Sequence, residues 1–292
     1  MKKLLALFTS LCLVFCFAGC GAEEPAEDAE APEAAHEVNI GRLTLLNVDE
    51  QALNESVNAN EELDEDLNST EAAGSNLNFV FYNTLADMKL ALTSGQIDAM
   101  RTGEATAAYV NAKDSQCVIL ENDPTNVAIN YSMLLMADNQ ELCNDISLAI
   151  KDLKNSGELE KLTGAYINDC LDGTDPALSE SETIEGAETI TVAITGDLPP
   201  MDFINSNGDP AGFNVALMNA IGKIINKNIE FLVVDSGARG IALSNGKCDV
   251  VFWTATLGES ASYAEIINDQ PENTIITEPY YNEMMKTVQL AK

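Results

Sequence analysis

The stretch Leu90-Ala91-Leu92-Thr93-Ser94-Gly95-Gln96-Ile97-Asp98 recurs in the other half of the chain as Ile241-Ala242-Leu243-Ser244-Asn245-Gly246-Lys247-Cys248-Asp249. Each copy reads as the last turns of an amphipathic helix, a glycine, and the start of an apolar strand. That strand is Ala99-Met100 in one copy and Val250-Val251-Phe252-Trp253 in the other. A glycine at this place adopts the left-handed backbone that ends a helix, with no penalty from a Cβ atom. One such unit per half predicts two similar α/β lobes, and two lobes enclose a cleft.

The rest of the chain supports this. Apolar alternation predicts strands over 40–46, 77–81, 117–120, 131–136, 190–194, 229–234 and 286–290, and apolar residues at helical spacing predict helices over 50–67, 85–92, 105–112, 141–155, 159–167 and 213–225. Strands alternating with helices argue for largely parallel sheets. Residues 171–188, rich in Asp, Glu, Ser, Thr, Gly and Pro, read as a linker.

Charge narrows the function. There are 47 acidic residues against 15 basic, a net charge of -32. Phosphate binding needs clustered Lys and Arg, so nucleic acid is an unsuitable partner, and an anionic membrane surface repels the chain. The amino terminus points outside the cytoplasm. Lys2-Lys3 precede an apolar run, Leu4 to Phe17, too short to span a bilayer. Phe17-Ala18-Gly19-Cys20 resembles a lipobox, so residues 1–20 are expected to be a lipoprotein signal and Cys20 the lipidated residue. The alternative is an ordinary secretory signal. Residues 21–37, acidic and rich in Ala with no apolar period, read as a disordered tether. A diacyl anchor on Cys20, palmitate included, would hold the protein on the extracytoplasmic face of the cell membrane.

Of seven cysteines, Cys117, Cys143, Cys170 and Cys248 lie beyond the leader. Cys143 and Cys170 flank two predicted helices and could staple them in an exported protein. Cys117 and Cys248 read as small core residues. The spacing fits no metal pattern, the single His36 lies in the tether, and no metal or cofactor is expected.

Several short motifs together resemble extracellular solute-binding proteins of family 3, the amino-acid receptors of ABC importers. Thr191 to Pro200, Gly208, Gly212-Phe213-Asn214, Ala242-Leu243, Gly246, Asp249 and Pro279-Tyr280-Tyr281 resemble that family's first half. Phe81 to Asp87, Gly95, Asp98, Glu104, Thr106 and Ala107 resemble its second lobe, and Tyr131 to Ile167 its C-terminal helices. The resemblance implies a two-lobed periplasmic-binding-protein-like fold of type II, with a ligand cleft between hinged lobes and an ABC permease as partner. It also implies a monomer and no catalysis. The order is reversed, as a circular permutation would give; a tandem of two incomplete copies is the alternative. On the permuted reading, residues 38–128 with 284–292 form the family's second lobe, and 129–283 form its first.

Ligands of open α/β sheets bind outside the carboxyl ends of strands. That rule selects Asp197 and Met201 after one strand, Ser236 and Arg239 after another, Trp253 and Thr254 at a third, and Arg101, Thr102 and Glu104 at a fourth. Arg239 is the leading candidate. A guanidinium binds a carboxylate bidentately, Ser236 could add a bond, and Ser-x-x-Arg resembles a loop of acidic-amino-acid receptors. Trp253 could wall the cleft or face a ligand ammonium group. Asp197 and Glu104 are candidates for that ammonium group, and Thr254 could donate to a carboxylate. The family's usual carboxylate-holding Arg is missing from Leu257-Gly258-Glu259-Ser260, and its amine-binding acid falls at Gly103. These departures argue against an ordinary α-amino acid, and the ligand expected is a small organic one, an amino acid or a related carboxylate. Two other readings stay open: a dehydratase-like enzyme using Glu104 or Asp197 as acid or base, and a sensory lipoprotein that has lost ligand binding.

Overall fold

The computed structural model describes residues 37–59, 76–120, 127–179, 181–257 and 269–291. Cys20, His36 and nearly all of the expected leader and tether lie outside these residues. Strands in chain order are β1 (Glu37–Leu43), β2 (Asn76–Tyr82), β3 (Ala99–Gly103), β4 (Cys117–Ile119), β5 (Ala128–Met136), β6 (Thr189–Ile194), β7 (Asp197–Leu198), β8 (Asp202–Ile204), β9 (Pro210–Ala211), β10 (Asn228–Val233), β11 (Val250–Leu257), β12 (Thr274–Ile276) and β13 (Tyr281–Leu290). The helices are α1 (Glu50–Asn58), α2 (Leu85–Thr93), α3 (Glu104–Lys113), α4 (Gln140–Ser156), α5 (Glu158–Tyr166), α6 (Phe213–Ile225) and α7 (Arg239–Ser244).

Two lobes of like construction share one hydrogen-bonded ladder, in the order β10-β6-β11-β5-β13-β3-β1-β2. In the leading lobe β2, β1 and β3 run parallel, and β13 lies antiparallel between β3 and β4. In the trailing lobe β10, β6 and β11 run parallel, and β5 lies antiparallel between β11 and β12. The lobes meet along β13. Tyr281 to Met284 pair with β5, whereas Met285 to Gln289 pair with β3. Ten residues of one strand therefore serve both sheets.

The duplicated unit is the same structure twice. Gly95 and Gly246 have φ of +72° and +64°. The N–H three residues after each helix's last residue reaches back in the same way, Gln96 to Ala91 O and Lys247 to Ala242 O, both at 2.9 Å. Asp98 and Asp249 then tie the unit to the first strand of their lobe. Asp98 accepts from Asn39 N–H and Asp249 from Thr191 N–H, each at 2.8 Å. Helix α6 shows why the lobes hold together: its residues Phe213, Leu217, Met218 and Ile221 are fully buried, sealing it on the trailing sheet. At about 25 cal/mol per Å² of apolar surface, such side chains contribute roughly 2 kcal/mol each before entropy is charged.

The four cysteines beyond the leader are free and buried, so the expected Cys143–Cys170 bridge is not formed. Helix lengths explain it. Helix α4 has 17 residues and α5 only nine, so at about 1.5 Å per residue α5 cannot return to the start of α4. Cys143 sits under β12, where its thiol donates to Ile276 O, while Cys170 donates to Ala165 O beside the α3–Asp175 contact. Burial raises the pKa of both thiols, which makes them poor nucleophiles. Excess reductant is expected to leave the melting temperature unchanged; a fall of several degrees would show a bridge in solution. Cys117 and Cys248 are core residues, as expected.

Candidate functional site

A cavity of about 70 Å³, room for a handful of waters or a short organic chain, lies between the lobes where strand ends converge. The leading lobe contributes Arg42, Leu43 and Leu45 from the end of β1, Arg101, Thr102 and Gly103 from β3, and Thr106 from α3. The trailing lobe contributes Leu198, Met201, Asn214, Trp253 and Ala255, and the shared strands add Ile129, Tyr131, Glu283 and Met285. The walls are mostly apolar, with charge concentrated at a few points.

One point is a pair of arginines. Arg42 and Arg101 are register partners on the parallel strands β1 and β3, so their side chains leave the same face of the sheet side by side. They are 8% and 6% exposed. Arg101 Nη1 donates to Thr287 Oγ1 at 3.4 Å. Arg42 Nε is buried and has no hydrogen-bond partner among the described residues; its guanidinium lies 6.0 Å and 5.8 Å from the ring centres of Phe79 and Phe81. Burial, then repulsion from Arg101, lowers the pKa of Arg42 to about 10, so it keeps its charge at neutral pH. The buried carboxylate of Asp269 offsets part of this cost, but the Nε donor stays unsatisfied, and a buried donor of this kind is normally met by an acceptor.

The other point is Glu283, from the part of β13 that changes lobe. Its carboxylate stands where a side chain on residue 103 would begin: a Cβ built on Gly103 falls 1.8 Å from Glu283 Oε1. A side chain at residue 103 would have to displace that carboxylate. Oε2 accepts the Ala105 N–H at 2.8 Å, at the first turn of α3, where the helix dipole favours negative charge. Burial nevertheless raises its pKa to about 7. Behind the wall, the buried Asp202 holds Asn214 through Nδ2 at 2.7 Å and also accepts from Thr195 N–H, Thr195 Oγ1 and Gly196 N–H.

Of the residues proposed from sequence, Arg101, Thr102, Trp253 and Met201 line the cavity, and Arg239, Ser236, Thr254, Asp197 and Glu104 do not. Arg239 is fully buried and spent on the backbone. Nε donates to Ser236 O at 3.0 Å, Nη1 to Phe252 O at 3.0 Å and Nη2 to Thr44 O at 3.2 Å, with the guanidinium carbon 3.3 Å from the centre of the Trp253 ring. It holds Trp253 from behind and leaves no fork for a carboxylate. Trp253 itself has φ of +50° at a bulge in β11, a conformation that a bulky residue keeps only when its surroundings fix it. Thr254 is fully buried beneath the strand. Glu104 is on the surface and pairs with Lys286 at 3.4 Å.

Ser236 and Asp197 instead tie the lobes together across the cleft. Ser236 Oγ donates to Asn83 O at 2.6 Å, and Asp197 Oδ2 accepts the Leu85 N–H at 2.6 Å, capping α2 of the opposite lobe. Burial lifts the pKa of Asp197 to about 6. Asp269, also fully buried, accepts from Leu46 N–H at 2.5 Å and Asn47 N–H at 3.1 Å. With the Arg239–Thr44 bond these contacts describe lobes closed on the cavity. Sequence reasoning missed Arg42, Asn214 and Glu283. Arg42 falls within the alternating strand predicted over 40–46, whose pattern marks no site residue, and Glu283 lies before the predicted start of the last strand.

Among the described residues no group of His, Cys, Asp and Glu is placed to hold a metal ion, and no helix is long and apolar enough to cross a membrane. Solved structures similar to this chain include a zinc-bound ligand-binding component of an ABC-type import system from Staphylococcus aureus, at 12% identity over 87% of this chain and 66% of that one (TM-score 0.40). The aliphatic sulphonate-binding protein SsuA from Escherichia coli is similar at 12% identity over 86% and 61% (TM-score 0.36). The GluR0 ligand-binding core in complex with L-glutamate is similar at 11% identity over 90% and 87% (TM-score 0.39). The chain thus spans less than two thirds of the length of SsuA and about two thirds of the Staphylococcus aureus component. No curated protein sequence matches it. Residues 190–265, a range that includes β7 to β11, match the model of bacterial extracellular solute-binding proteins, family 3.

Proposed function

We propose that this chain is an extracytoplasmic solute-binding lipoprotein, anchored through Cys20, that captures a small carboxylate-bearing ligand between its lobes and presents it to an ABC permease. The observation that carries the reading is Arg42, a buried guanidinium whose Nε has no hydrogen-bond partner among the described residues, on the wall of an inter-lobe cavity beside Arg101. A fork of this kind binds a carboxylate in a dry site far more strongly than in water. The contacts of Ser236, Asp197, Asp269 and Arg239 across the cleft are weak individually and can break together, as hinge opening requires.

The chain order is read here as permuted relative to the family. The segment matching the family lies at residues 190–265, after a lobe with the same strand arrangement. Helices α4 and α5 precede that segment in sequence yet pack on its helix α6. The lobes are then 38–128 with 284–292, and 129–283 with the joining segment 171–188.

Titration calorimetry against L-glutamate, L-leucine, glutarate and a short peptide tests the function. At least one carboxylate should bind, and at 100 times its Kd it should add about 2.7 kcal/mol to stability. No heat and no thermal shift with any of them would remove the reading.

A further inference from the structure

We infer that the lobes are latched shut by the chain's own side chains, with Asp197 of the trailing lobe as the latch on helix α2 of the leading lobe. The protein then stands closed before a ligand arrives and loads by transient opening. This goes beyond the proposed ligand and holds whatever the cavity binds.

The first turn of a helix leaves backbone N–H groups without helical partners. In α2 these groups are met from both lobes. Thr84 Oγ1, in the same lobe, accepts from the Asp87 N–H at 3.0 Å. The Leu85 and Ala86 N–H groups go to Asp197 in the other lobe, the first at 2.6 Å, at the helix end where negative charge is favoured. The same corner holds further bonds. Asn83 O, just before α2, accepts from Ser236 N–H at 3.0 Å and Ser236 Oγ at 2.6 Å, just before α7. The helix starts of the two duplicated units thus meet each other. Their approach is close: a Cβ on Gly237 would fall 2.5 Å from Asn83 Oδ1 and push against it. A second point, past the end of β1, joins Asp269 to the Leu46 and Asn47 N–H groups. Asp197, Asn83, Ser236 and Asp269 do not line the cavity. Closure therefore draws these bonds from outside the ligand site, and a ligand is not needed as the bridge.

Closing also buries the latch carboxyl. The charged groups around it are Asp202 on β8 and Asp235 ahead of α7; α2 itself brings Asp87, and its Lys89 is taken by Asp114 at 2.8 Å. Burial outweighs the two N–H bonds and raises the pKa of Asp197 to about 6. In open lobes, water holds such a carboxyl near its ordinary value of about 4. The closed form thus binds the proton more tightly, so closure strengthens as pH falls through 6 and gains nothing more below about 4. Between pH 7 and pH 5 Asp197 should raise the closed-to-open ratio about tenfold. Asp269, which also joins the lobes and whose pKa is raised by burial, acts in the same direction.

Spin labels at Thr93→Cys and Ser244→Cys, exposed and equivalent in the two duplicated units, read the separation of the lobes by double electron–electron resonance; the buried native thiols label poorly. The protein is unfolded and refolded first, to strip any bound ligand. At pH 7 the labelled protein should show one main, short distance and a minor longer one, and the longer one should shrink about tenfold or more at pH 5. Adding Asp197→Ala should raise the open fraction about tenfold or more, the loss expected for hydrogen bonds to a charged group. Asp197→Asn keeps an acceptor for both N–H groups, so it should stay closed, with a response to acid about tenfold smaller. Labelled protein that is mainly open without ligand overturns self-closure. An open fraction unchanged by Asp197→Ala overturns Asp197 as the latch. So does a response to acid unchanged by Asp197→Asn, which decides the matter even where the alanine variant does not fold.

Discussion

Arg239→Ala is expected to cost the fold about 3–5 kcal/mol, lowering the melting temperature by roughly 10 °C. The guanidinium is fully buried, and its charge is sustained by backbone carbonyls of Ser236, Phe252 and Thr44 and by the nearby carboxylates of Asp269 and Asp202. Its pKa, lowered to about 10 by burial, still leaves it charged at neutral pH. Alanine would orphan those carbonyls, leave Asp269 with less compensation and remove the surface against which Trp253 is stacked. Lysine should rescue little, because a single ammonium group cannot span carbonyls that the planar fork reaches in three directions. Urea unfolding followed by circular dichroism measures this directly. A loss under about 1 kcal/mol would show that the carbonyls find other partners, and would reopen a ligand role for Arg239.

Arg42→Met should do the reverse. Binding of the carboxylate ligand should weaken by 100-fold or more, since truncating one member of a desolvated charge pair costs about 2–5 kcal/mol. Stability without ligand should stay level or rise by about 1 kcal/mol, because methionine fills similar space and removes a buried cation with an unpartnered donor. The two arginines are alike in type and both buried, so opposite responses would separate a residue that holds the protein together from one kept for a ligand. A loss of stability in Arg42→Met as large as that in Arg239→Ala would mean that Arg42 is structural as well.

Much of the architecture was legible from local pattern. The apolar spacing of Val215, Met218, Ile221 and Ile225 placed α6 at its observed limits. Gly95 and Gly246 marked the duplicated unit because a left-handed helix end is a local backbone demand that few residues besides glycine meet. The expectation failed where geometry depends on distant partners. Period-two alternation assigns Arg42 to one face of β1, but not whether that face meets water or a closed cleft. Ser-x-x-Arg named the right chemistry on the wrong side of Trp253, because the bulge that turns Trp253 over Arg239 depends on β11 pairing with β5. The cysteine staple failed on helix length, because nine residues of α5 cannot run back along the 17 of α4.

The two α/β lobes, their helix ends and their buried apolar faces follow from the chain's own residues, because each is a short-range matter of periodicity and backbone preference. The cavity's charge pattern does not. Glu283 reaches its place only because β13 leaves one sheet for the other between Met284 and Met285 and passes the one wall position, Gly103, that has no side chain. Residues 180 apart in sequence thus share one site. No local rule brings them there; the pairing of a single strand with both lobes does.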